Sequence, residues 1–181
     1  LICSTVLASW LGTQAVHELG HVVGAWMTGA QVTQVVLTPT TFSRTDVTHN
    51  TRPLVVVWAG PIVGAVLPLF LWLAARAARM PGEFVLRFFA GFCLIANGLY
   101  IGVGSFARIG DCGEMLRHGS PIALLRLFGL VTVPLGFALW HHQGTSFGLG
   151  AAHGQVSKPV TYATLAVCML LIVLGFAIGG H

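Results

Sequence analysis

Charge is what this sequence most lacks. Only 8% of its 181 residues are Asp, Glu, Lys or Arg, against about 25% in ordinary soluble domains. Apolar residues make up 55% and the mean hydropathy is +0.84, which excludes a water-soluble domain and points to an integral, multi-pass membrane protein. The nine basic residues, set against five acidic ones, are scattered over short connections with no run or patch. That excludes the electrostatic footprint of a nucleic-acid-binding surface. Cysteine is sparse as well. Cys3, Cys93, Cys112 and Cys168 form no CxxC, and three of them lie in apolar runs where a thiol behaves as a small hydrophobe, so no disulfide framework is expected. No sequence repeat is visible. At this length one compact membrane domain over residues 1–181 is the natural reading, with a core over 1–120 and two further helices over 121–181.

What is there is a set of long apolar runs. A membrane-spanning helix takes roughly 20 mostly apolar residues, and about five segments qualify, which predicts an all-α polytopic fold. They run from Ile2 to Thr28, Leu54 to Ala75, Phe88 to Phe106, Ile122 to Trp140 and Val160 to Gly180. The first is the least purely apolar, and the third carries Asn97 near its middle. Trp10, Trp140 and Tyr162 are candidate interfacial anchors. Charge bias across the connections is even and sets no orientation. Residues 76–87 read as a basic turn and 141–159 as a loop. Residues 29–53 differ, because VTQVVLT is rich in β-branched side chains and turn chemistry follows it. One or two short strands at the membrane edge are predicted there.

The first segment contains QAVHELGHVV, with two imidazoles and a carboxylate in a run otherwise suited to lipid. His17 and His21 are four apart, so they stack on one helix face and can offer two nitrogens to one ion. Zinc accepts nitrogen at about 2.0–2.1 Å and in catalytic sites keeps one position for water. Glu18, beside the first ligand, can act on that water as a general base, since the metal lowers its pKa to about 7. This is the HExxH arrangement of zinc peptidases. With this content of His and Glu it would arise by chance in roughly 0.6% of shuffled sequences. Thr5, Ser9, Thr13, His17 and His21 also recur every four residues, a polar stripe that must face protein or a water-filled cleft. Gly20 and Gly24 give the small-xxx-small spacing of close helix contact.

A catalytic zinc generally takes a third protein ligand, often a carboxylate. Of the five acidic residues, Glu18 serves as base, while Asp46 and Glu83 sit in connections. Asp111 and Glu114 remain, in RIGDCGEMLRHG. Asp111 is expected on a bend near glycines, from which a short carboxylate could approach an ion. Equally, both acids could cap a helix start or pair with Arg108 and Arg117.

HELGHVVGAWMTGA, then WAGPIVGA, then an Asn-bearing segment ending in GD, resembles the site-2 protease family of intramembrane zinc metalloproteases, in its small form without PDZ or CBS domains. The resemblance spans roughly residues 10–118. It implies one Zn2+ held by His17, His21 and Asp111, with Glu18 as the catalytic base and Asn97 steadying the substrate backbone. Departures are plain: Asn97 is separated from Asp111 by GLYIGVGSFARIG with no proline, and Cys112 stands where the family has Gly. Glu114 is therefore kept as an alternative ligand. The resemblance also implies a membrane-associated β element after the first helix, transmembrane protein substrates, and an active site facing the cytosol. Readings from other classes are a non-catalytic metal- or haem-binding membrane protein and an inactive protease-like scaffold. The remaining histidines, His49, His118, His141, His142, His153 and His181, are expected in solvated connections or at the end of the chain.

Overall fold

Local chemistry sets where each element begins and ends. The computed structural model describes residues 1–40 and 43–179. Thr41 and Phe42 of the strand region, Gly180 at the expected end of the fifth segment, and His181 lie outside the described residues. Helix α1 covers Ile2–Thr28 and stops where Gly29 turns into the left-handed region, φ 73°, with its N–H on the Ala25 and Trp26 carbonyls, the conformation glycine adopts without a Cβ penalty. Strands β1 (Gln31–Val36) and β2 (Arg44–Thr48) follow as an antiparallel pair with an irregularity between Val32 and Gln34.

Helix α2 (Pro53–Ala77) starts on a proline, whose missing N–H costs nothing in a first turn. Helix α3 (Glu83–Ala107) ends at Arg108, φ 56°. The short helix α4 (Gly110–Arg117) was not foreseen as an element; α5 (Ile122–Trp140) and α6 (Lys158–Gly179) complete the chain. Two 3-10 turns, Gly144–Phe147 and Gly150–Ala152, occupy the expected loop before α6.

Four of these helices, α2, α3, α5 and α6, are long and apolar enough to cross a membrane. At 27 residues α1 is long enough too, about 40 Å, but its polar stripe keeps it out of that set. The stripe is turned inward as expected: Thr5, Ser9, Thr13, His17 and His21 are all buried. By contrast Phe70, Val103, Phe106, Leu130 and Phe176 are well exposed, a surface that suits lipid and would be untenable in water. The fold is thus an all-α polytopic bundle carrying one small β hairpin after its first helix.

Small residues bring the helices together. A Cβ on Gly20 would strike the Ala59 carbonyl, and one on Gly24 would come within 2.7 Å of the Ala59 side chain, so α1 and α2 cross at near backbone contact. Helix α5 packs on α3 in the same way, with Gly129 against Gly98 and Gly102. A buried cluster of Val57, Ile101, Cys112, Met115 and Leu125 ties α2, α3, α4 and α5. Cys112 and Met115 are fully buried, so α4 is anchored by its apolar face and the residue preceding Cys112 is held in place. Trp10 and Trp140, expected as interfacial anchors, direct their indole N–H groups into the protein, at the carbonyls of Pro39 (3.2 Å) and Phe88 (2.9 Å). All four cysteines are free.

Candidate active site

Helix periodicity places His17 and His21 on the buried face of α1, and the two rings meet edge to face with centroids 4.9 Å apart. Each ring is fixed through its Nδ1 atom. His17 Nδ1 lies 2.7 Å from Asn97 Oδ1, and His21 Nδ1 lies 2.9 Å from the Val56 carbonyl oxygen. Both partners are acceptors, so each Nδ1 carries the proton and donates it. The Asn97 amide cannot be turned round to change this, because its Nδ2 donates to the Cys93 carbonyl at 2.9 Å. The consequence falls on the opposite side of each ring: both Nε2 atoms present lone pairs.

Asp111 comes to those lone pairs from the first turn of α4. Its Oδ2 is 2.8 Å from His17 Nε2 and 3.3 Å from His21 Nε2. Instead of a bend, the structure shows a helix start, with Gly110 at φ 56° as the first residue of α4. The carboxylate makes no capping bond of its own helix. The backbone N–H of Asp111 donates to the Tyr100 hydroxyl at 3.2 Å, and the Tyr100 ring stands edge-on to His17 at 5.7 Å. The neighbouring Cys112 thiol is pushed up to about 11, first by burial and then by the Asp111 charge.

Three acceptor atoms thus converge, and ligand atoms from His17, His21 and Asp111 all lie within 4.8 Å of one another. Lone pairs so placed repel unless a cation, or an added proton, sits between them. The set suits zinc, whose tetrahedral ligands at about 2.0–2.1 Å stand about 3.3 Å apart. Asp111 keeps 20% of its side chain exposed against 11% and 9% for the two histidines, so the carboxylate marks the open side of the cluster. Gly60 closes another side: a Cβ there would fall 2.5 Å from His21 Nε2 and 2.9 Å from His17 Nε2.

Glu18, only 5% exposed, sits beside the pair, and its Oε2 accepts a hydrogen bond from the Thr45 hydroxyl at 2.7 Å. Glu114, the alternative ligand, is not brought to the site. It accepts from Arg117 at 2.6 Å, with His118 Nε2 at 3.5 Å, and its side chain is 45% exposed. Asp46 lies on β2 against Arg44, and Glu83 at the start of α3 accepts from Trp72 Nε1. Asn97 is 3% exposed with its oxygen directed at His17. What the geometry supports for it is orientation of a ring, where the resemblance implied substrate contact.

Sequence reasoning missed Thr45, Tyr100 and the Val56 carbonyl. Tyr100 carried a signal, since it stands three residues after Asn97 on one face of α3. Thr45 and Val56 carried none. Haem ligation calls for histidines on separate helices; here His17 and His21 share α1, and among the described residues the other histidines lie outside the membrane-length helices.

A family model described as Peptidase M50B-like matches residues 5–102. That span takes in His17, Glu18, His21, Gly60 and Asn97 and stops short of Asp111, whose place in the cluster rests on geometry. No curated protein and no solved structure matches the chain. With a match over more than half its length and four helices fit to cross a bilayer, the chain is an integral, multi-pass membrane protein that belongs to the Peptidase M50B-like family, within the site-2 proteases.

Proposed function

We propose that this protein is an intramembrane zinc endopeptidase that hydrolyses peptide bonds in or near transmembrane segments of other membrane proteins. One observation carries the reading: His17 Nε2, His21 Nε2 and Asp111 Oδ2 converge as lone-pair donors beside the buried carboxylate of Glu18. Zinc bound there would supply a Lewis acid for the scissile carbonyl and water made acidic enough to ionise near neutral pH.

The chain's own residues supply the rest. Asn97 and the Val56 carbonyl hold both imidazoles in the tautomer that leaves Nε2 free. Tyr100 and the buried face of α4 hold Asp111 at the cluster. Glu18 takes a proton from the attacking water at its carboxylate and returns it to the departing amine nitrogen, so one water is added across the peptide bond. The placement of these polar groups inside an apolar bundle follows from the substrate, because the bond to be cut lies at that depth and water has to be brought to it.

A helical substrate shields its own backbone by internal pairing, so it has to be drawn out locally before it is cut. The hairpin of β1 and β2 lies along α1 beside Glu18 and offers a strand edge on which an extended segment could pair. The test is Glu18→Gln, incubated with zinc and a transmembrane substrate. Zinc content should be kept and cleavage should fall by at least about 100-fold; undiminished cleavage would rule out the mechanism.

A further inference from the structure

Helix α1 carries a second row of polar groups. Trp10, Gln14 and Glu18 repeat every four residues, so they share one face beside the row of Thr13, His17 and His21. The hairpin and its turn are hydrogen-bonded to this row at all three positions. Trp10 Nε1 donates to the Pro39 carbonyl at 3.2 Å. Ser43 donates to Gln14 Oε1 from its backbone N–H (3.1 Å) and from its hydroxyl (2.8 Å). Thr45 Oγ1 donates to Glu18 Oε2 at 2.7 Å. This last contact differs from the others, because its acceptor is a buried carboxylate next to the ligand His17, and a hydrogen bond to an ionised acceptor is about twice as strong as a neutral one.

Register decides which side chain makes the contact. Side chains alternate along β2, so Thr45 turns toward α1 while Arg44 and Asp46 turn to the other face, where they meet each other at 3.3 Å. Pairing of Thr45 with Val35 on β1 fixes that alternation. A slip of one residue would set a charged side chain against Glu18 in place of a hydroxyl. Glu18 Oε1 meanwhile has no hydrogen-bond partner among the described residues.

From this arrangement we infer that Thr45 is a positioning residue for Glu18, and that through it the seating of the hairpin on α1 sets the reach of the carboxylate. Thr45 holds Oε2 and so limits where Oε1, beside the ligand His17, can swing. Without that hold the carboxylate is free to rotate within its pocket. A substrate strand that paired with the hairpin and shifted β2 would shift the Glu18 carboxylate through Thr45, which ties occupancy of the hairpin to placement of the base. The inference rests on the peptidase reading of Glu18.

The experiment uses the full chain in detergent, with zinc and a transmembrane substrate, and compares Thr45→Val, Thr45→Ser and Glu18→Gln. Thr45→Val should lower kcat about tenfold and change KM by less than about twofold, while Thr45→Ser restores kcat to within about threefold. Amide hydrogen exchange over Arg44–Thr48 in metal-free protein should quicken in Thr45→Val and stay near wild type in Thr45→Ser. A normal kcat in Thr45→Val, an equal loss in Thr45→Ser, or an effect on KM alone would overturn the assignment. Glu18→Gln separates the two failures. If it cleaves at the wild-type rate, the peptidase reading is lost and Thr45's role falls with it. If it is inactive while Thr45→Val is normal, only the role of Thr45 is lost.

Discussion

Gly60→Ala offers a sharp probe of the cluster, since it adds one methyl group and removes no ligand. The added carbon would lie 2.5 Å from His21 Nε2 and Cε1 and 2.9 Å from His17 Nε2, where ordinary contact distances are about 3.5–4.0 Å. Relief therefore takes roughly 1 Å of movement. Neither ring can yield alone, because His21 is held by the Val56 carbonyl and His17 by Asn97. Opening the α1–α2 crossing would give up the close packing of Gly20 and Gly24 on Ala59. A misplacement of about 1 Å at a catalytic centre costs about 100-fold, so zinc affinity and cleavage should both fall by about that factor. Zinc affinity is read by competition with a chromophoric chelator, and folding by the thermal melt of the detergent-solubilised protein.

Gly136→Ala supplies the control. Its Cβ would press on Ile95 Cγ1 at 2.6 Å and the Gly91 carbonyl at 2.7 Å, between α5 and α3 and among none of the cluster residues. It should lower the melting temperature through overpacking worth about 1–3 kcal/mol and leave zinc affinity unchanged. Wild-type zinc binding in Gly60→Ala, or equal zinc loss in both variants, would refute the reasoning.

Other expectations follow from the same geometry. Asp111→Ala should weaken zinc binding by more than about 100-fold, while Glu114→Ala, which breaks a surface pair with Arg117, should leave it at the wild-type value in the same titration. Asn97→Ala should lower zinc affinity about 10- to 100-fold with little change in KM, as expected when the partner that orients a ligand is removed. A raised KM with intact zinc binding would instead return Asn97 to the substrate.

The sequence made the local elements legible and left the long-range meetings dark. The ends of α1 and α5 were legible because Gly29 closes the first and Pro121 and His141 bound the apolar run of the second. The pair His17 and His21 could be read because helical spacing is local. Helix α4 was missed because eight residues that include Gly110 and Gly113 carry little helical signal. The choice between Asp111 and Glu114 could not be made from spacing, since both lie on that helix. The burial of Cys112 and Met115 fixes how α4 is turned against α2, α3 and α5, and with it which of the two acids faces His17 and His21. The contact of Thr45 with Glu18 joins residues 27 apart across a hairpin, and nothing in either local sequence announces it.

The most direct measurement is the zinc content of protein extracted gently and without chelators, by elemental analysis of the wild type and of His17→Ala combined with Asp111→Ala. The wild type should hold about one zinc per chain, and the double variant less than about a tenth of that after the same preparation. A wild-type protein that carried no zinc and took up none on titration would contradict the account at its centre.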